Sequence, residues 1–303
     1  MDVKHFEYVL EIAECGSINK ATGKLHISQP NLSVCIKKLE EELGFNIFER
    51  GNRGVVPTPE GELFLRSARR IKDELDAIAN IPRCFATTDN LSISCTNSFD
   101  FMNSFMKFKK MNPPRSSEDS IKETGLIQTV RDVVEMRYRL SFFYCFDCME
   151  ARYRDFALKH QLKMETVADK KRLVLFVSKA HPLARKKAVN FDDIKKYKFV
   201  MYENYQFDEW LQLLGFESSD KVLMVFDRGG LIDAVKQNLY VTVMMERFTD
   251  VYSEGCVEVP IENTDRTISA FLFYHDGYKL NQREQLFVRT LKKLFSDKPR
   301  TAV

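Results

Sequence analysis

The stretch that most constrains the fold is residues 24 to 44, KLHISQPNLSVCIKKLEEELG. Ser28 is an N-cap residue type, and Pro30 falls in a first helical turn, where its missing N–H costs little. Leu32, Ile36, Leu39 and Leu43 then mark one stripe, and Gly44 supplies the left-handed position that ends a helix. Upstream, the spacing of Phe6, Val9, Leu10 and Ala13 predicts a helix over 2 to 14 that stops at Cys15-Gly16. Ser17 caps a shorter helix to Leu25, with Ile18, Ala21 and Leu25 inward. Helix, short helix, turn and longer capped helix is the order of a helix-turn-helix unit. The segment FNIFERGNRGVVPTPEG follows, with glycines and an asparagine between β-prone runs, as in a hairpin wing carrying Arg50 and Arg53.

From Thr58 and Pro59, the positions Phe64, Ala68, Ile71, Leu75 and Ile78 alternate by four and three residues up to Pro82. Such a seam fits pairing between helices of two chains; packing on its own domain is the other reading. After Pro82 strand-like runs (Leu91 to Cys95, Leu140 to Tyr144, Leu173 to Ser178, Phe199 to Tyr202, Lys221 to Phe226, Leu239 to Met244, Thr267 to Tyr274) alternate with helical segments, which predicts an α/β region with mostly parallel sheets. Residues 112 to 120, NPPRSSEDS, read as a polar loop.

The 303 residues suffice for about two domains. A composition of 44% hydrophobic and 29% charged residues is that of a globular protein, and no apolar run approaches the roughly 18 residues of a membrane span. The start, MDVKHFEYVLEIAEC, interleaves acids with apolar positions, unlike a signal peptide, so a cytoplasmic location and no membrane partner are expected. Seven scattered cysteines do not form a secreted disulfide framework. A net charge of +3 argues for no partner, and residues 1 to 90 carry 12 basic against 14 acidic side chains, so any nucleic-acid site must focus its positive charge.

These features together resemble the LysR-type transcriptional regulators. The matching positions are Ala21, Leu25, Ser28-Gln29-Pro30, Leu32-Ser33, Ile36, Leu39-Glu40, Leu43-Gly44, Phe48, Arg50, Arg53-Gly54, Thr58 and Glu60-Gly61. More loosely, His181-Pro182-Leu183-Ala184 and the closing segment Asn281 to Phe295 are similar to elements of the family's effector domain. Asn31, Thr22, Arg139-Leu140-Ser141 and Gln237-Asn238-Leu239 depart from the usual pattern, so no family effector is carried over. The resemblance implies a multidomain α+β and α/β chain: a winged helix-turn-helix over 1–58, a linker and dimerisation helix over 59–88, and an effector-binding domain over 89–303. That last domain has two α/β subdomains like those of periplasmic binding proteins, one of about 89–161 and 268–303, the other of about 162–267. It implies a regulator modulated by an unidentified small-molecule effector, forming a homodimer or homotetramer, acting on double-stranded DNA and with RNA polymerase, needing no cofactor and being no enzyme.

On the second helix of the unit the apolar stripe leaves Gln29, Asn31, Ser33, Val34, Lys37 and Lys38 outward, and Ser28 and Pro30 fix where the helix starts. Gln and Asn can pair with adenine, Val34 can meet a thymine methyl, and the lysines can meet phosphate or guanine. Residues 28 to 38 carry two lysines and no acid, whereas Glu40 to Glu42 are expected at the far end, outside the groove. Arg50 and Arg53 would contact phosphate or the minor groove. In doubly wound sheets ligands collect at the carboxyl ends of strands, which here are Thr96-Asn97-Ser98, Tyr144 to Cys148, Tyr202-Glu203 and Asp227-Arg228-Gly229. Thr96, Asn97, Ser98, Tyr144, Tyr202, Glu203 and Arg228 are therefore effector candidates. Cys145 and Cys148 form a C-x-x-C that is either a pair of inert thiols or a redox or metal sensor, with His160 and His181 only loosely placed. A small-molecule binding protein or enzyme with a vestigial DNA module is the reading from another class; no nucleophile elbow, phosphate loop, dinucleotide motif or zinc protease motif supports it.

Overall fold

A computed structural model describes residues 1–51, 54–84, 89–115, 118–202, 222–246 and 254–296. The chain divides into two units, Met1–Ile81 and Pro82–Val303.

In the first unit α1 (Val3–Cys15) starts on a capping box formed by Asp2 and His5, and Gly16 ends it in the left-handed region. The Ser17 side chain caps α2 (Ile18–Leu25) by accepting the Lys20 N–H. The third helix, α3 (Gln29–Leu43), closes on Gly44 at φ 79°, whose N–H is donated to the Glu40 carbonyl at 2.9 Å. Leu32, Ile36 and Leu39 pack with Phe6, Val9, Ile12, Ile18 and Ala21 into one core, each large side chain contributing about 1.5–3 kcal/mol by burial. The strands β1 (Phe48–Gly51) and β2 (Gly54–Pro57) pair antiparallel as the wing, and the Val55 N–H is donated to the Gly16 carbonyl at 2.9 Å, which ties the wing to the helices.

Thr58 stands buried before the long helix α4 (Pro59–Cys84): its hydroxyl donates to the Asn46 carbonyl at 2.6 Å and accepts the Gly61 N–H at 2.9 Å. The seam divides. Leu65 and Ala68 are buried in the core of this unit and Phe64 stacks on Phe6, whereas Ile71, Leu75, Ile78 and Ile81 are exposed in the single chain. Own-domain packing thus holds at the start of the helix, and the later turns present an uncovered apolar stripe.

The second unit is built on a five-stranded sheet of order β4-β3-β5-β12-β6, from β3 (Ser92–Thr96), β4 (Ser120–Thr124), β5 (Leu140–Phe146), β6 (Leu162–Lys171) and β12 (Ile268–His275). A second sheet of order β10-β7-β11 joins β7 (Leu173–Ser178), β10 (Thr242–Met245) and β11 (Cys256–Pro260), and β8 (Phe199–Tyr202) pairs with β9 (Val222–Val225). The sheets are not mostly parallel. Only β3 with β4, β3 with β5, and β8 with β9 run parallel among the named strand pairs, because β12 returns against both β5 and β6 and β7 lies between two antiparallel partners. Pairing with β12 places β6 in the five-stranded sheet, so that sheet takes in residues 162–171, assigned from sequence to the second subdomain.

Side chains of β5 alternate between two cores. Phe142, Tyr144 and Phe146 face α5 (Phe99–Met111) and α10 (Gln282–Ser296), with Phe101 stacked on Phe142 at 4.4 Å; Phe143 and Cys145 face α6 (Leu126–Val134) and α7 (Asp147–Lys159). Buried charge fixes α10: Arg139 Nε donates to Glu284 at 2.8 Å, the Tyr278 hydroxyl donates to the same carboxylate at 2.7 Å, and Arg283 pairs with Asp119. The remaining helices are α8 (Phe191–Ile194) and α9 (Arg228–Lys236).

Candidate functional site

The face of α3 opposite its core is open. Gln29, Asn31, Val34, Lys37 and Lys38 are exposed, Val34 by 53%, and Ser33 is half-buried. Ser28 occupies the N-cap position, yet its hydroxyl caps no helix N–H; its carbonyl accepts the Leu32 N–H at 3.0 Å, and Pro30 lies in the first turn. An amphipathic helix that buries three large apolar side chains and shows amides, hydroxyls and two ammoniums on its other side has the donors, acceptors and charge that a major groove reads. Lys37 Nζ is 3.8 Å from Glu41 one turn on, an exposed pair that contributes little.

The three glutamates behave differently from one another. Glu42 pairs with the N-terminus of Met1 at 2.7 Å, but Glu40 turns inward, and its Oε1 accepts the N–H groups of Ile47 at 2.8 Å and Phe48 at 3.1 Å. Glu40 thus fixes the start of the wing to the exposed helix. Arg50 lies in β1 with its backbone opposite Val55; its side chain and Arg53 lie outside the description.

The second unit contains a cleft of about 90 Å³ lined by, among others, Asn97, Ser98, Phe99, Asp100, Tyr144, Tyr202, Leu231, Thr242 and Ile268. Four of the sequence candidates therefore meet there. Ser98 caps α5 by accepting the Phe101 N–H at 3.1 Å, and its hydroxyl lies 2.5 Å from the Tyr144 hydroxyl. Asn97 Nδ2 donates to the Phe226 carbonyl at 3.4 Å. Thr96 is not on the lining; it is buried, and its Oγ1 has no partner among the described residues. Glu203 lies outside the described residues. Arg228, another effector candidate, is not on the lining and is already engaged: its Nε donates to Glu123 at 3.0 Å.

Sequence reasoning missed Glu123, Phe99, Asp100, Leu231 and Thr242. Glu123 was hidden because β4, SIKET, carries few apolar residues and overlaps the segment assigned to a loop. Phe99 enters a core with Phe176, Val200, Leu231 and Val235, so it joins the five-stranded sheet's helix to the other lobe.

Cys145 is buried among Phe143, Tyr153 and Phe271, and burial pushes its thiol up to about 12, while Cys148 is exposed. A thiol held protonated is a poor nucleophile and a poor metal ligand, and no cluster of three metal-ligating side chains occurs among the described residues. His181 is buried, accepts the Leu183 N–H on Nδ1 at 3.2 Å and sits edge-on to Tyr197; burial lowers its pKa below the usual imidazole value. His160 caps α7 and lies 4.2 Å from the Phe156 ring.

A family model for the bacterial regulatory helix-turn-helix protein, lysR family, matches residues 3–62, and a model for the LysR substrate binding domain matches residues 154–296. The HTH-type transcriptional regulator BenM of Acinetobacter baylyi is 28% identical over 213 residues, covering 67% of this chain and 64% of BenM. An uncharacterized HTH-type transcriptional regulator of Bacillus subtilis, YcgK, is 47% identical over 78 residues, 25% of this chain and 24% of YcgK, so the matches span less than two thirds of either relative. The crystal structure of full-length CbnR complexed with its target DNA shares the fold, with a TM-score of 0.57 at 17% identity over 97% of this chain and 100% of that one. With an N-terminal and a C-terminal segment each matched by a model of one family, this chain belongs to the LysR family of transcriptional regulators.

Proposed function

We propose that this chain is a sequence-specific DNA-binding transcriptional regulator whose activity is set by a small molecule bound in the cleft of its second unit. The observation that carries the reading is the exposed face of α3, with Gln29, Asn31, Val34, Lys37 and Lys38 free of the core. Gln29, Asn31, Ser33 and Val34 read base edges, and Lys37, Lys38, the Ser28 hydroxyl and the wing residues Arg50 and Arg53 hold phosphate or the minor groove. Pro30 sets the angle of entry. The domain limits are 1–58 for DNA binding, 59–88 for the linker and 89–303 for effector binding. The stripe Ile71, Leu75 and Ile78 pairs two copies, giving a homodimer or homotetramer that works with RNA polymerase. BenM is named a transcriptional regulator and CbnR was solved with its target DNA, which supports the same role here.

The chain acts by binding rather than catalysis and needs no cofactor. No helix among the described residues is long and apolar enough to cross a membrane, which fits a cytoplasmic regulator. Of the sequence candidates, Asn97, Ser98, Tyr144 and Tyr202, which line the cleft, contact the effector. A gel-retardation assay on DNA from upstream of the chain's own gene tests the reading: Lys37→Ala weakens binding by about 1–3 kcal/mol with the thermal midpoint unchanged. Equal retardation by both proteins removes Lys37 from the interface, and no retardation by the wild type removes the function.

A further inference from the structure

Two charged side chains touch the lining residues Ser98 and Phe99 and bear on what the cleft admits. Glu123 on β4 is the first of them: its Oε1 accepts the N–H of Ser98, the cap residue of α5, at 3.4 Å, and its Oε2 accepts Arg228 Nε at 3.0 Å. The second guanidinium contact is also 3.0 Å long, and the guanidinium lies 5.4 Å from the ring centre of Phe99 on the cleft wall. The start of a helix draws anions through its free N–H groups and positive dipole end. Here a carboxylate of the chain already lies there, and it also neutralises the cation that would attract a second one. Burial is the largest influence on Glu123 and pushes its carboxyl up against the opposing pull of Arg228, so a second anion would enter a place that already disfavours negative charge. Asp100, 3% exposed, adds another acid, and no lysine or arginine is among the described residues that line the cleft. The polar groups on the lining are the Ser98 and Tyr144 hydroxyls, which bond each other, Thr242 and the Asn97 amide, beside an apolar wall.

We infer that the cleft takes an uncharged or cationic small molecule with an apolar body and excludes anions, because Glu123 holds the place an anion would take and neutralises Arg228. This rests on the proposed role of the cleft as the effector site. The test uses the full chain with pentanoate, pentanamide and pentylamine, probes of similar shape and different charge, with affinities from ligand-observed NMR and from the shift in thermal midpoint. Wild-type protein should bind pentanamide or pentylamine at least tenfold more tightly than pentanoate. Glu123→Gln keeps an acceptor for Ser98 and releases the charge of Arg228, so it should raise pentanoate affinity tenfold or more. Arg228→Gln, which leaves Glu123 uncompensated, should raise pentylamine affinity by a similar factor and serves if the first variant does not fold.

A wild-type preference for pentanoate, or charge preferences unmoved by both variants, overturns the assignment. A third variant, Leu231→Trp, fills the cleft and separates the two levels of failure. If it abolishes binding while the charge order is reversed, the cleft is the site and only the charge assignment falls. If no probe binds the wild type, or binding survives Leu231→Trp, the cleft reading falls and the assignment with it.

Discussion

Three consecutive glutamates end α3, and replacing each by alanine should give three different results. Glu40 Oε1 accepts two backbone N–H groups, from Ile47 at 2.8 Å and Phe48 at 3.1 Å, and Ile47 is fully buried. Hydrogen bonds to a charged group contribute about 1.5–3 kcal/mol each, and an orphaned buried donor carries its own desolvation cost. The two bonds are not additive, since one carboxylate makes both, so Glu40→Ala should cost about 3 kcal/mol. Glu40→Gln retains the accepting oxygen and loses only the charge, for about 1 kcal/mol, given that charge-assisted bonds are roughly twice as strong as neutral ones. Glu41 and Glu42 are exposed, and their alanine variants should stay within about 0.5 kcal/mol of wild type. Urea denaturation of the full chain, read together with backbone hydrogen exchange at Ile47 and Phe48, separates these cases. Exchange at both amides should accelerate in Glu40→Ala alone. A Glu40→Ala protein as stable and as protected as Glu41→Ala would refute the anchoring role.

Three more outcomes follow from packing and titration. A Cβ at Gly61 would lie 2.0 Å from the Ile47 carbonyl oxygen and 2.8 Å from its carbon; Gly61→Ala should therefore cost about 3 kcal/mol or more by denaturant titration, and a midpoint equal to wild type contradicts the close approach. Glu284→Ala strands Arg139 in the core of the second unit and should cost about 3–5 kcal/mol, measured the same way. Because burial lowers the His181 pKa, the stability this neutral ring contributes is present above the unfolded value and lost as pH falls through the folded one. Between about pH 7 and about pH 5 the wild-type thermal midpoint should fall more than that of His181→Asn, which keeps a side-chain acceptor for Leu183, and parallel curves would remove His181 as the cause.

The first unit was readable because its signals are local. Ser17, Pro30 and Gly44 mark helix ends within a few residues, and the stripe of Leu32, Ile36 and Leu39 declares its inner face. In the second unit the apolar strands β3, β5, β7 and β12 stood out, but β4 (SIKET), β6 (LKMETVADKK) and β11 (CVEVP) did not. Of these, β4 and β6 lie at the edges of the five-stranded sheet and β11 at an edge of the second, where less burial is required and polar residues are tolerated. Strand direction is set by partners far away in sequence, which is why the expectation of mostly parallel sheets did not hold. The same distance hid the role of Arg228, whose partner Glu123 is 105 residues away; the role of Glu40 was hidden instead by the turn that brings Ile47, seven residues on, back to its carboxylate.

If the outer face of α3 reads DNA as part of a paired molecule, footprinting of the chain on the DNA upstream of its own gene should show it. The expected pattern is two protected half-sites related by a dyad and separated by a whole number of helical turns, with both weakened together by Lys37→Ala. Uniform protection without half-sites, or a footprint that Lys37→Ala leaves unchanged, would contradict it.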